Sequence, residues 1–383
     1  MTNFSNRFTI TFFFLMSLQG YSPVERKVMP IFTFLFCAMF TFTGYPNGVI
    51  TSNPDSANHY LTIIGVGDIM FGTDFPNKGY LPPKNDCLPL IQPAIDVLQN
   101  ADITFGNLEG CFLNEGEVAK RCSDSTRCFA FKMPEEYVHC LSLAGFDVVS
   151  LANNHIGDFG EKGRQTTMRL LDSVGIQYGG LLTHPTAVFE KNGLKIGFGA
   201  FAPNVGTCNI NDIPGVKRIV EGLKSQCDIV IVSFHGGAEG ANHAHVNRET
   251  EYFYGENRSN VYEFARHAID AGADVVFGHG PHVTRAVDLY KGRFIAYSLG
   301  NFCTYGRFNL KGINGIAPIV KLYLEKNGKF VKGEIVPIIQ PGNGGVVMDS
   351  QKQAIKAIQR LTIGDFPESQ LNISNDGKIT IKE

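Results

Sequence analysis

The chain has 383 residues, 44% of them apolar and 18% charged, which suits one large or two medium globular domains and excludes a disordered chain. Its 34 basic and 36 acidic side chains give a formal charge of −2, so there is no basic field for nucleic acid and that class of partner is excluded. The 42 glycines follow no collagen-like period and point to many turns between short elements.

The N-terminus is of different material. Phe8 to Leu18 and Ile31 to Phe42 are Phe-rich apolar runs, separated by Glu25-Arg26-Lys27, and neither reaches the roughly 18 residues of a spanning helix. The second has the charged flank, short apolar stretch and polar exit (Gly44-Tyr45-Pro46) of a secretory signal. Residues 1–46 are therefore expected to be a hydrophobic leader, a signal peptide or a membrane anchor. An exported protein is expected with it: periplasmic, at the cell surface or membrane-anchored. Cys37 lacks the small neighbour of a lipidation site. Cys111, Cys122 and Cys128 lie close together in a polar insertion, where loop disulfides or buried thiols are expected rather than a thiolate zinc site.

From residue 60 onward, strands are predicted over 61–65, 102–105, 147–151, 195–201, 228–234, 274–277 and 294–298, each rich in Val, Ile or Phe and bounded by Gly, Asn or Pro. Helices are predicted between them over 89–100, 134–144, 162–173, 216–226 and 260–271, from apolar residues spaced three and four apart. This alternation implies parallel pairing and an α/β fold. A hairpin is expected over 319–337 around Asn327-Gly328, and a last helix over 354–361. The domain organisation read from this is a main domain over 58–345 and a C-terminal extension with a short helix over 346–383.

The residues just beyond the strand ends carry the chemistry. The first strand runs into Asp68, the second into Asn107-Leu108-Glu109, the third into Asn153-Asn154-His155, the fifth into His235, and the sixth into His279-Gly280-Pro281-His282. Ligands gather outside the carboxyl ends of parallel strands, so these side chains are expected to meet in one crevice. Carboxylates, amides and imidazoles together make a mixed N/O site suited to Mn²⁺, Zn²⁺ or Fe, with one or two divalent ions. Taken singly, Asp68 reads as a helix cap, Asn153-Asn154 as a turn and His235 or His282 as a structural histidine. Five strand ends carrying ligand-type residues together favour a metal site.

The ordered motifs Gly67-Asp68-Ile69-Met70-Phe71-Gly72, Gly106-Asn107-Leu108-Glu109, Leu151-Ala152-Asn153-Asn154-His155 with Asp158, Phe234-His235-Gly236 with Glu239, Gly278-His279-Gly280-Pro281-His282 and Tyr297-Ser298-Leu299-Gly300-Asn301-Phe302 resemble those of the CapA-type poly-γ-glutamate biosynthesis proteins. That family is similar to the calcineurin-like metallophosphoesterases. The resemblance implies a four-layer α/β/β/α sandwich, with Asp68, Asn154, His235, His279 and His282 as metal ligands and His155 as general acid. The chain departs from the wider superfamily in two places. Asp68-Ile69-Met70 stands where Asp-x-His is expected, and Asn107, with Glu109 two positions on, stands where a bridging Asp is expected. Asn107 and Glu109 are taken as the compensating metal candidates.

Glu239, Arg285 and Asn301 are candidate substrate-binding residues. His243 and His245 rank lower as loop residues, and Gly342-Asn343-Gly344-Gly345 reads as a turn. The function expected is a metal-dependent hydrolase, acting on a phosphoester or an amide of an anionic envelope or capsule polymer or its precursor. The expected substrates are an anionic polymer or a small phosphorylated or glutamyl compound, with membrane-bound capsule synthesis proteins as possible partners. The alternative is a non-catalytic, metal-containing component of a polyglutamate or capsule assembly complex that binds the polymer.

Overall fold

The computed structural model describes residues 60–116, 119–120 and 129–382. The leader expected over 1–46, together with Cys122 and Cys128, lies outside the described residues.

In chain order the strands are β1 (Leu61–Met70), β2 (Ile103–Leu108), β3 (Val148–Ser150), β4 (Gln177–Gly179), β5 (Thr186–Lys191), β6 (Leu194–Phe201), β7 (Ile229–His235) and β8 (Val275–His279). They continue as β9 (Val287–Tyr290), β10 (Arg293–Ala296), β11 (Asn301–Thr304), β12 (Ile316–Leu324), β13 (Phe330–Ile339), β14 (Leu371–Ile373) and β15 (Lys378–Ile381). The helices are α1 (Leu88–Ile91), α2 (Ile95–Leu98), α3 (Val138–Ala144), α4 (Gly160–Ser173), α5 (Ile213–Lys224), α6 (Val261–Asp270) and α7 (Gln353–Asp365). A ten-stranded sheet runs β14-β15-β13-β12-β1-β2-β3-β4, with β11 added beside β1 and the short strand Val347–Met348 beside β13. A six-stranded sheet runs β9-β10-β8-β7-β6-β5.

Side chains on a strand alternate between faces, and here the alternation sorts them into three apolar layers. Ile63, Phe105, Val148, Phe198, Ile231, Val275 and Phe277 meet between the two sheets, where the Phe105 and Phe277 rings stack with centroids 5.2 Å apart. Their sequence neighbours face outward. Ile64, Leu108 and Val149 pack under α2, α3 and α4 with Leu98, Leu141 and Leu171. Val230, Val232 and Val276 pack under α5 and α6 with Val216, Val220, Phe264 and Ala268. The result is the α/β/β/α layer order that the resemblance implies.

Several boundaries differ from the sequence reading. β1 runs on to Met70, because its far end is paired on both sides. Asp68 sits opposite Asn107 in β2 and opposite Asn301 in β11. That crossing requires Gly67, since a Cβ there would lie 1.9 Å from the Gly300 carbonyl oxygen. The helix expected over 89–100 is broken into α1, a 3₁₀ turn over Gln92–Ala94 and α2, because Pro93 in its middle has no N–H to continue the ladder. The hairpin of β5 and β6 was not anticipated. Its turn residues Asn192 and Gly193 both have positive φ, at 51° and 75°, the geometry that Asn-Gly supplies in a tight hairpin. Residues 346–382 continue the fold. β15 pairs with β13, and Ile355 and Ile358 of α7 enter the layer between the sheets.

Cys87, at the start of α1, is bonded to Cys140 of α3, a pair that sequence spacing did not suggest. Cys111, which sequence reading grouped with Cys122 and Cys128, is a buried free thiol, as are Cys208, Cys227 and Cys303. His139 lies beside the Cys87–Cys140 pair, but both sulfurs are engaged in the disulfide and offer no thiolate. Among the described residues, no helix is long and apolar enough to cross a membrane.

Candidate metal centre

The register of the strands assembles the centre. In the large sheet, Asp68, Asn107 and Asn301 stand side by side on three adjacent strands. In the small sheet, His279 of β8 stands opposite His235 of β7. The two rows meet at the carboxyl ends. Asp68 Oδ1 lies 3.3 Å from His279 Nδ1, and its Oδ2 lies 2.8 Å from His282 Nδ1. Asn107 Nδ2 donates to Asp68 Oδ1 at 2.8 Å and also to Glu109 Oε2. Glu109 Oε2 lies 3.6 Å from His235 Nδ1. His282 adopts a positive φ of 57°, which turns the chain after β8 back toward Asp68, and Asn301 Nδ2 holds its carbonyl at 3.1 Å.

Asp68, Asn107, Glu109, His235 and His279 are all at most 1% exposed, so their charges act on one another with little screening. Burial alone would raise the Asp68 carboxyl, but His279 and His282 outweigh it and hold it below the ordinary carboxylate range. Burial, with the Asp68 charge nearby, pushes Glu109 up to about 8. Burial opposes the proton on His282, yet the bond to Asp68 prevails and raises it to about 9. Burial and the neighbouring Arg258 charge drive His235 well below its ordinary value.

Lone pairs without partners show what the cluster suits. Glu109 Oε1, Asn154 Oδ1 and His279 Nε2 are buried and make no hydrogen bond, an arrangement that is costly unless something else satisfies them. Two carboxylates, an amide oxygen and imidazole nitrogens are by their chemistry the donor set of a divalent transition metal, although among the described residues no three of these acid and imidazole side chains bring ligand atoms within 4.8 Å of one another. Asn107 is placed differently from the other expected ligands: its Nδ2 donates to both carboxylates, and its amide oxygen accepts from Asn153 Nδ2 at 3.1 Å with its second lone pair left over.

A cavity of about 820 Å³ opens beside the centre, and its walls include Asn154, His155, Glu239, Arg258, His282 and Asn301. His155 follows β3, and its backbone N–H donates to Asn153 Oδ1 at 3.1 Å. Its Nδ1 lies 2.7 Å from Asp158 Oδ2, which also accepts from the Phe131 N–H at 2.8 Å, while Asp158 Oδ1 pairs with Lys120 at 2.5 Å. The ring packs on Phe131, with centroids 4.1 Å apart. Burial lowers the His155 pKa despite the opposing Asp158 charge.

The structure thus brings Asp68, Asn107, Glu109, His235, His279 and His282 together, with Asn154 and His155 on the same cavity. Of the expected substrate residues, Glu239 and Asn301 reach the cavity wall, while Arg285 does not. Its side chain is fully buried and makes a bidentate pair with Glu251 at 2.8 and 2.7 Å, with its Nε on the His243 carbonyl. Arg285 is a strut of the loop after β7. Sequence reading missed Arg258, Asp158 as a partner of His155, and Lys120. Asp158 stood inside a quoted motif and could have been found by its i, i+3 spacing from His155. Arg258 carried no local signal.

The chain is 29% identical to the capsule biosynthesis protein CapA of Bacillus anthracis, over 85% of this chain and 78% of that one. It is 25% identical to the PGA biosynthesis protein CapA of Bacillus subtilis, over 84% and 83% of the two chains. Among solved structures, a 5′-nucleotidase precursor from Thermus thermophilus aligns with a TM-score of 0.43 and 9% identity, over 82% of this chain and 61% of that one. The model of the bacterial capsule synthesis protein PGA_cap matches residues 62–305, a span that holds every strand end of the centre, and the chain belongs to that family.

Proposed function

We propose that this protein is a metal-dependent hydrolase of the phosphoesterase type, acting in the cell envelope on an anionic capsule polymer such as polyglutamate, or on its precursor. Its relatives are named for capsule and PGA biosynthesis, which supports the polymer as substrate and membrane-bound capsule synthesis proteins as partners. One conjunction carries the catalytic reading. Asn154, whose buried Oδ1 has no partner, and His282, bonded to Asp68, line the same cavity as a histidine gripped by a carboxylate.

Asp68, Glu109, Asn154, His279 and His282 would hold one or two divalent ions, Mn²⁺, Zn²⁺ or Fe. When bound, such an ion supplies Lewis-acid polarisation of a substrate oxygen and lowers the pKa of bound water. The remaining work falls to the chain's own groups. Asp158 fixes the His155 ring through Nδ1 and favours its protonated form, whose Nε2–H would pass to the leaving oxygen. Arg258 presents positive charge at the cavity wall to an anionic group, and Phe131 with Phe308 keeps that wall apolar. Glu239 holds Arg258 in place at 3.0 Å.

The experiment is hydrolysis of a phosphoester panel and of γ-glutamyl oligomers by the reconstituted protein, with EDTA, His279→Ala and His155→Ala as controls. Turnover that survives both EDTA and His279→Ala removes the metal-dependent reading. Polymer binding without any turnover would favour the non-catalytic assembly component instead.

A further inference from the structure

Arg258 brings to this centre a charge that opposes a metal. It is 2% exposed and rigidly held. Its Nη2 lies 3.0 Å from Glu239 Oε1 and its Nη1 lies 3.0 Å from Glu256 Oε2, while its backbone exchanges bonds with Glu251 and Gly237. The same Nη2 lies 3.3 Å from His235 Nε2. A guanidinium has donors only, so Nε2 must be the lone-pair nitrogen of His235. A neutral ring then carries its proton on Nδ1, which points toward Glu109 Oε2 at 3.6 Å, beyond hydrogen-bond distance. In this arrangement His235 has no lone pair left for an ion.

The ion pairs of Arg258 fix it in that place. Glu239 and Glu256 hold the guanidinium at 3.0 Å each, so an ion on His235 Nε2 would first have to displace a cation already paired with two carboxylates. Met70 adds no donor on that side, because its side chain lies in the outer apolar layer and its sulfur accepts from the Gly72 N–H at 3.2 Å.

We infer that the centre takes a single divalent ion, on the side of Asp68 and His279, and that the Arg258 guanidinium occupies the place of a second cation, with His235 as its acceptor. This rests on the metal-dependent reading above. Arg258 also lines the cavity, paired there with Glu239 and Glu256.

The test loads the full chain with Mn²⁺ alone and reads ions per chain by elemental analysis and the Mn²⁺ spectrum by electron paramagnetic resonance. The wild type is expected to hold one ion with the six-line signal of an isolated centre. His235→Ala should keep that ion with its affinity unchanged, whereas His279→Ala should weaken binding by more than about tenfold. Arg258→Ala should admit a second ion and give an exchange-coupled signal. Two coupled ions in the wild type, or loss of the ion in His235→Ala, overturn the inference, and these two arms decide it even where Arg258→Ala does not fold. A folded Arg258→Ala protein that still holds one ion also overturns it. No ion in the reconstituted wild type removes the metal-dependent reading itself, a different result from two.

Discussion

Asp158 grips His155 through Nδ1 at 2.7 Å and is itself held by Lys120 and the Phe131 N–H, so a loop histidine has the fixed orientation of a core residue. Replacing Asp158 by Asn keeps the shape of the contact but removes the negative charge that favours a protonated His155 ring. Asp158→Asn is expected to lower kcat by about 10²–10⁴ with little change in KM. The loss should be larger for a substrate with a poor leaving group than for one with a good leaving group. Equal losses on both would assign Asp158 a structural role only.

The metal-free centre should titrate visibly. Glu109 at about 8 and His282 at about 9 both lie above their ordinary 4.5 and 6.5, so the folded chain holds these protons more tightly than the unfolded one. Their contribution to stability is therefore present at low pH and is lost as pH climbs through those two values. Asp68, shifted the other way, loses its contribution only in acid. The Tm of metal-free protein should fall from pH 6 to pH 9. A bound ion needs the Glu109 carboxylate and a neutral His282, so its uptake should release protons and the Tm gained on adding Mn²⁺ should widen over the same range. A gap that narrows from pH 6 to pH 9 contradicts this.

Arg285 separates stability from function. Truncating it to Ala strands Glu251 in the interior, which is expected to cost about 3–5 kcal/mol. Bound metal per chain should stay unchanged, and Arg285→Met combined with Glu251→Leu should recover much of the stability. Denaturant melts and elemental analysis on the same samples check both halves of the expectation.

The Cys87–Cys140 bond closes a sequence separation of 53 residues between α1 and α3. Its removal as Cys87→Ala/Cys140→Ala is expected to cost about 2–4 kcal/mol, chiefly by freeing the unfolded chain. Reductant should lower the wild-type Tm toward that of the double variant and leave the variant itself unmoved. A non-reducing peptide map that joins any other pair would contradict the assignment.

Much of the candidate centre was legible because each expected ligand follows an apolar run that makes a strand. Val275-Val276-Phe277 announces β8 and therefore the place of His279, and Ile229 to Phe234 does the same for His235. The α/β class follows from the same alternation. The hidden part depends on contacts between distant segments. Arg258 reaches the cavity from a loop well beyond Gly236 that carries no periodic pattern. Arg285 lies close to His282 in sequence, yet its side chain turns toward Glu251. Cys87 and Cys140 meet only because α1 and α3 cover the same face of the large sheet. Asn192-Gly193, by contrast, held a plain hairpin signal that was passed over.

The bond from His282 to Asp68 joins residues 214 positions apart. A growing chain leaves the ribosome N-terminus first, so Asp68, Asn107 and Glu109 emerge and can form the first strands well before any histidine of the small sheet exists. Closing so long a separation also carries an entropic cost that must be met by the sheet-to-sheet packing. The centre is therefore among the last features to form, and a chain stopped short of residue 282 holds carboxylates without their imidazoles. On the metal-dependent reading, metal acquisition would report on completed synthesis, being open only to chains that have both sheets in register.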